Sequence, residues 1–338
     1  MLEPSGERSP SARIGTSVAV TVRERDIECT VAERSEPASG VVSLVVRDAS
    51  GHGLPAWTPG AHVDLLLTPT LARQYSLCGD PADTGSWRIA VLREPASRGG
   101  SSFVHDQLHP GATVHVRGPR NHFPLVNSRH YLFIAGGIGI TPLLPMVAAA
   151  AREGADWQLL YGGRTRRSMA FVEELQAYGD AVRIWPQDEK GLLDLAAALG
   201  EPRDDLLVYC CGPEALLGAV EGACQSWPAQ SLHVERFAPK PQPEAAEAEM
   251  ATFEVVLQRS GLTLAVAPDE SILEVCEDAG VSVLCSCEEG ICGTCRTDVL
   301  EGTPDHRDSV LSGSERAAGD VMMVCVSRSL TPRLVLDL

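Results

Sequence analysis

Residues 286–296 read Ser-Cys-Glu-Glu-Gly-Ile-Cys-Gly-Thr-Cys-Arg, and no other stretch restricts the fold as tightly. Cys287, Cys292 and Cys295 stand at C-x4-C-x2-C, and Cys325 follows after 29 further residues. Four thiolates so spaced are the plant-type arrangement for a 2Fe-2S cluster. Two irons need two thiolates each, so the loop must wrap closely around one side of the cluster. Gly290 and Gly293 permit the positive φ and close approach that this needs. Thr294 and the loop amides are placed to donate to sulfur, which tunes the potential. A structural zinc site pairs one C-x2-C with a second, or with histidines, and neither follows here. Cys285 stands two residues before Cys287. Only Cys287 leaves four residues before Cys292, so Cys285 is read as a non-ligand.

An iron–sulfur cluster passes single electrons, so something upstream must supply them. The chain has 338 residues, enough for two or three domains. Its net charge is −17, and residues 250–338 hold 15 acidic against 6 basic side chains. Duplex nucleic acid and anionic membranes are poor partners for such a surface, whereas a basic protein patch suits it. Plain solubility explains the charge equally well. Eleven cysteines show no paired framework, which fits a reducing cytosol and a cytoplasmic protein. The polar N-terminus lacks the apolar core of a signal peptide. Residues 131–151 carry no charge, but three glycines and two prolines break them into strand, turn and helix rather than a membrane span.

In chain order, residues 1–26 read as a disordered extension. Residues 27–126 hold six short strand patterns and a helix near Phe103–Leu108, which suggests an antiparallel β-barrel. Within it, Arg73-Gln74-Tyr75-Ser76-Leu77 alternates its side chains across a strand. Gly99-Gly100-Ser101-Ser102 then leads into a helix, a setting suited to phosphate. Taken alone, that is no more than a glycine turn with a capping serine. Residues 127–238 alternate four strands with four helices, including helices over Leu192–Leu199 and Glu214–Cys224. That pattern is a doubly wound α/β parallel sheet. Gly136-Gly137-Ile138-Gly139-Ile140-Thr141-Pro142 follows its first strand, with Thr141 read as N-cap and Pro142 as the first helical residue. Cys210-Cys211-Gly212-Pro213 follows the fourth strand. Both turns lie at carboxyl ends of strands, where ligands bind in such sheets. Residues 239–250 read as a proline-stiffened linker, and residues 251–338 as an α+β domain around the cluster loop.

Taken in this order, the motifs resemble the phthalate dioxygenase reductase / vanillate O-demethylase reductase family, within the ferredoxin–NADP reductase superfamily. The resemblance spans residues 27–338. It implies an FMN-binding β-barrel, an NAD-binding α/β domain and a β-grasp plant-type ferredoxin domain. It implies that Arg73, Tyr75 and Ser76 line the flavin, and that Gly100, Ser101 and Ser102 hold its phosphate. It places Gly137, Gly139 and Thr141 at the NAD pyrophosphate, and Cys211, Gly212 and Pro213 beside the nicotinamide. Phe237 is implied near the flavin, Ser76 and Cys211 are the implied catalytic positions, and Asp305 to Asp308 is implied as a turn near the cluster. As a lone aromatic, Phe237 is equally well a core residue.

The cofactor order follows from electron counting. NADH gives a two-electron hydride and a 2Fe-2S cluster accepts one electron, so a flavin, which takes two and releases them singly, stands between. FMN rather than FAD rests on the resemblance. Asp188 favours NADH by its readiness to accept from a ribose hydroxyl. Arg164, Arg166 and Arg167 would suit NADPH instead, or form a solvated face. The expected partner is a terminal oxygenase of Rieske type, with a monomeric reductase feeding it. A haem-thiolate monooxygenase, a non-autonomous subunit of a larger complex and a cluster-bearing redox sensor are the rivals. Glu288 and Glu289 are expected at the surface where electrons leave.

Overall fold

The computed structural model describes residues 25–95, 99–240 and 251–338. The disordered reading of residues 1–24, Arg98 and the linker over 241–250 lie outside the described residues. Strand structure begins at Arg25, within the span read as the N-terminal extension.

The first domain contains β1 (Arg25–Ala38), β2 (Val41–Asp48), β3 (His62–Thr68), β4 (Leu71–Ser76), β5 (Trp87–Leu92), α1 (Gly100–Gln107) and β6 (Thr113–Arg120). Its sheet runs β4-β3-β6-β1-β2-β5, and an antiparallel bridge between Leu77 and Ile89 joins the two ends into a barrel. Alternating strand residues send Leu44, Leu65, Leu77, Trp87 and Ile89 inward, all at 1% exposure or less. α1 packs across the barrel through Val104, and Leu108 just beyond its end packs with it. The Arg34 guanidinium donates to the carbonyls of His105 and Leu108, satisfying the free carboxyl end of that helix. Buried Asp64 pairs with Arg120 at 2.5 Å across β3 and β6.

The second domain contains β7 (His130–Gly136), α2 (Ile140–Arg152), β8 (Asp156–Gly163), α3 (Val172–Gln176), β9 (Val182–Pro186), α4 (Gln187–Lys190), α5 (Leu195–Leu199), β10 (Leu206–Cys211), α6 (Glu214–Ala223) and β11 (Leu232–Glu235). All neighbours in its sheet, ordered β11-β10-β7-β8-β9, are parallel. Two local expectations need correction. The helix read over Leu192–Leu199 is shorter, Leu195–Leu199, because Asp194 caps α5 by accepting from the Ala197 amide, and a separate turn of helix, α4, precedes it and ends at Gly191 with φ 74. The fifth strand, β11, is absent from the sequence reading. Its four residues include His233 and Glu235, and charge masks so short a pattern.

The third domain contains β12 (Phe253–Leu257), β13 (Leu262–Val266), α7 (Ile272–Asp278), β14 (Arg296–Glu301), β15 (Pro304–Asp305), α8 (Gly313–Ala318), β16 (Val321–Met323), β17 (Arg328–Ser329) and β18 (Arg333–Leu336). The main sheet runs β13-β12-β18-β14-β16, with parallel β12 and β18 at its centre. α7 covers it through Ile272, Leu273 and Cys276, and Ser271 with Glu274 closes a reciprocal cap at its start.

The domains meet through side chains. Arg88 of the barrel forks onto Glu174 with two contacts of 3.0 Å and lies over the Phe171 ring. The Lys240 amide donates to Ser309 of the third domain at 3.0 Å. Among the described residues no helix is long and apolar enough to cross a membrane.

Candidate active site

β4 brings Arg73 to the start of α1. A Cβ on Gly100 would stand 2.4 Å from Arg73 Cγ, so only glycine lets the arginine stem cross the helix end. Gly99, at φ 93, begins that helix without a side-chain cap. Ser101 instead accepts from the Glu94 amide at 3.1 Å, and the Ser102 hydroxyl donates to the Gly99 carbonyl at 3.1 Å. The start of α1, without a side-chain cap, therefore lies beside the Arg73 side chain, a setting that suits a phosphate. Tyr75 packs against the barrel core, and burial raises its phenol to about 12, so it stays neutral.

The two nucleotide-domain turns pack on each other. β7 and β10 are neighbours, and a Cβ on Gly139 would stand 2.3 Å from the Cys211 carbonyl oxygen. A short 3-10 turn over Gly137–Gly139 runs directly into α2. Thr141 is consequently not the N-cap: Gly139 holds that position, and the Thr141 hydroxyl donates back to the Ile138 carbonyl at 3.0 Å. The structure still brings Gly137, Gly139, Gly212 and Pro213 to one end of the sheet. Asp188 lies in the first turn of α4, its amide donating to the Arg164 carbonyl at 3.2 Å. Arg166 faces Glu189 at 3.7 Å, so a carboxylate offsets its charge at the edge where a 2′-phosphate would sit.

The cluster loop gathers five cysteines. Hydrogen bonds from Cys292 and then Cys325 hold the Cys287 thiol far below its ordinary range. Those from Cys295 and Cys325 hold Cys285 down to about 3. Sulfur also accepts from the backbone, Cys287 from the Glu289 amide at 3.3 Å and Cys292 from the Thr294 amide at 3.4 Å. Thiols gathered beside backbone amides that donate to sulfur fit an iron–sulfur cluster. The structure thus places Cys285 among the thiols, where spacing alone sets it aside. Asp308 braces the loop from behind: it accepts from the Val310 and Leu311 amides and meets Arg316, while the Ser309 amide donates to the Gly290 carbonyl.

One cavity joins the three domains. Arg73, Gln74 and Ser76 line it from the barrel, Glu235, Arg236 and Phe237 from the nucleotide domain, and Ser286, Cys287, Glu289 and Ile291 from the cluster loop. Phe237 is 43% exposed there, which rules out a core role. Glu289 faces this cavity while Glu288 is exposed, so the two do not share an outer surface as expected.

Sequence reading missed Glu235. β11 pairs it in register with Cys211, and the Ser76 hydroxyl donates to it across the domain boundary. The residue is partly buried, yet its Oε2 is sealed from solvent and has no partner. Burial raises its carboxyl to about 8, against the smaller opposing pull of Ser76. Ser76, Cys211 and Glu235 thus form one group drawn from two domains. Burial, and then the charge of Glu235, pushes the Cys211 thiol up and keeps it neutral.

Chains that bring a flavin barrel, a nicotinamide-nucleotide sheet and a ferredoxin to one cavity are electron-transfer reductases, and this chain is of that class. A model for the 2Fe-2S iron-sulfur cluster binding domain matches residues 255–330, and one for the oxidoreductase NAD-binding domain matches residues 133–222. The phenoxybenzoate dioxygenase subunit beta of Ectopseudomonas oleovorans is 45% identical over 89% of this chain and 94% of its own length. The vanillate O-demethylase oxidoreductase of Pseudomonas putida is 39% identical over 92% of this chain and 100% of its own. Phthalate dioxygenase reductase superposes with a TM-score of 0.68 at 35% identity, over 93% of this chain and 98% of that one. An intact type IV self-sufficient cytochrome P450 monooxygenase superposes at 0.88 and 42% identity over 98% of this chain, which spans 43% of that longer one. The chain belongs to the phthalate dioxygenase reductase / vanillate O-demethylase oxidoreductase family, and its cofactors are FMN, a 2Fe-2S cluster and NADH.

Two measurements probe this site. Cys292→Ser should abolish the EPR signal of the reduced cluster and Cys285→Ser should keep it; loss in Cys285→Ser alone would shift the ligand register. Glu235→Gln tests the buried carboxyl. A folded-state pKa raised from 4.5 to about 8 means stability falls as pH rises through that window. In flavin-free protein the glutamine variant should therefore gain on wild type by about 1 kcal/mol or more between pH 6 and pH 8.5, read from urea midpoints. Parallel pH profiles would show that Glu235 ionises normally.

Proposed function

We propose that this chain takes a hydride from NADH and delivers single electrons to a Rieske-type oxygenase. The observation that carries the reading is a cavity lined together by the flavin strand, the end of the nucleotide domain and the cluster loop. FMN, when bound, converts the two-electron donor into one-electron steps. Arg73, Gly100, Ser101 and Ser102 hold its phosphate, and Tyr75 and Ser76 hold its ring. Gly137, Gly139 and Thr141 receive the NAD pyrophosphate, and Asp188 the ribose. Cys211, Gly212 and Pro213 seat the nicotinamide, while Phe237 covers the flavin side of the cavity. Ser76 and Glu235 fix a hydrogen-bonded pair where the two rings meet, and the neutral Cys211 thiol adds no charge there. Cys287, Cys292, Cys295 and Cys325 ligate the cluster. With all three sites in one chain, a monomer suffices. Eleven cysteines free of disulfides suit a cytoplasmic location.

The outer face beside the cluster differs from the inner one. Leu284 is 69% exposed, and the Glu288 carboxyl, raised first by burial, also feels Glu277 and Glu274 of α7. An exposed leucine and a group of carboxylates on this loop and α7 suit an oxygenase with a basic rim, which favours rapid encounter over tight binding. The likeness to the self-sufficient P450 chain supports a haem-thiolate acceptor as the second reading.

Removing residues 241–338 separates the steps. The shortened protein should still reduce ferricyanide with NADH, an acceptor that draws on the flavin directly. It should fail to support a Rieske oxygenase. Oxygenase turnover that survives the deletion would mean electrons leave from the flavin. Support of a haem-thiolate enzyme by the intact chain, with none for the Rieske enzyme, would select the second reading.

A further inference from the structure

Two histidines of the flavin barrel lie against the cluster loop, and neither has a role so far. His62, on β3, is 2% exposed. Both of its ring nitrogens are sealed from solvent, and neither has a hydrogen-bond partner. Its backbone pairs with Ser76 on one side and Arg120 on the other. It lines the shared cavity with Cys287. His122 lies beside it, with ring centroids 5.6 Å apart. His122 in turn reaches the loop, for a Cβ on Gly293 would stand 2.6 Å from its Nε2. The pair therefore runs from the flavin strand to the loop that carries Cys287, Cys292 and Cys295.

A buried imidazole with no partner is costly, and such groups call for an acceptor. An imidazole holds at least one N–H to donate in either protonation state. Arg120, on the neighbouring strand, is itself a donor and is paired with Asp64. Cys287 lines the same cavity, and its sulfur, once it ligates a cluster, is an anionic acceptor. We propose that His62 is a positioning residue that donates its N–H to the Cys287 sulfur of the bound cluster, with His122 holding the loop in reach. A donor aimed at a ligand sulfur stabilises the reduced cluster, which carries the extra negative charge, and so raises its potential. The flavin barrel thereby sets the potential of a cluster in another domain, and does so only when the two domains are docked.

The inference rests on Cys287 being a ligand, and the test keeps the two apart. The full-length, cofactor-loaded protein is titrated with dithionite and followed by EPR. His62→Phe keeps the ring and removes the donor; it should lower the cluster midpoint potential at unchanged iron and sulfide content. His62→Gln keeps an N–H donor and should return most of the shift. Wild-type protein labelled with 15N-histidine should show a histidine-nitrogen coupling to the reduced cluster, which the glutamine variant loses. If His62→Phe does not fold, the coupling and the glutamine variant still decide. Wild-type potential in both variants, or no histidine coupling in the labelled wild type, overturns the proposal. A normal cluster signal in Cys287→Ser exposes failure of the ligand assignment instead, and removes the acceptor named here.

Discussion

The contact between His122 of the barrel and Gly293 of the cluster loop is the constraint on which the rest depends. Gly293 has φ 73 and no side chain, and the imidazole stands where a Cβ would be. That close approach seats Cys287 on the cavity that also receives Ser76 and Phe237. The ferredoxin closes on its own apolar cluster, whereas Val41, Cys78, Ala90 and Phe123 carry the core of the nucleotide domain on into the barrel. The relative placement of the domains is also set by a few side chains, among them Arg88 with Glu174 and Lys240 with Ser309. A site assembled from the edges of rigid elements holds its reactive groups in position better than one built on a free loop.

Electrostatics divides the cluster region into an inner and an outer side. Glu289 turns inward toward a cavity that Arg73 and Arg236 also line, and Glu288 turns outward with the acidic face of α7. Adjacent residues take opposite sides because Glu288 has φ 54, a left-handed conformation that reverses the chain at that point. In the proposed reading the inner side receives the flavin and the nucleotide, and the outer side faces the partner protein.

Much of this was legible in the sequence, and the reason is spacing. Cysteine intervals and glycine turns are local, so C-x4-C-x2-C and the turn at Gly136 to Pro142 announce their chemistry without any contact being known. Groups that cooperate through register were not legible. Glu235 matters because β11 pairs with β10 and because Ser76, from the other domain, reaches it. His62 and His122 matter because β3 and the end of β6 bring them to a loop far along the chain. The N-cap reading at Thr141 failed for a related reason, since a 3-10 turn at Gly137 starts the helical path early. Cys285 stays outside the ligand set by spacing, and only the fold shows that its thiol lies within hydrogen-bond reach of Cys295 and Cys325.

The central claim is that electrons pass from flavin to cluster inside one molecule, across the shared cavity. Stopped-flow mixing of the oxidised protein with NADH, without oxygen, tests it directly. Flavin bleaching should come first and cluster bleaching second, with a rate for the second step that stays the same as protein concentration is varied tenfold. A cluster rate that rises in proportion to protein concentration would mean the electrons travel between molecules, and the cavity would not be the route.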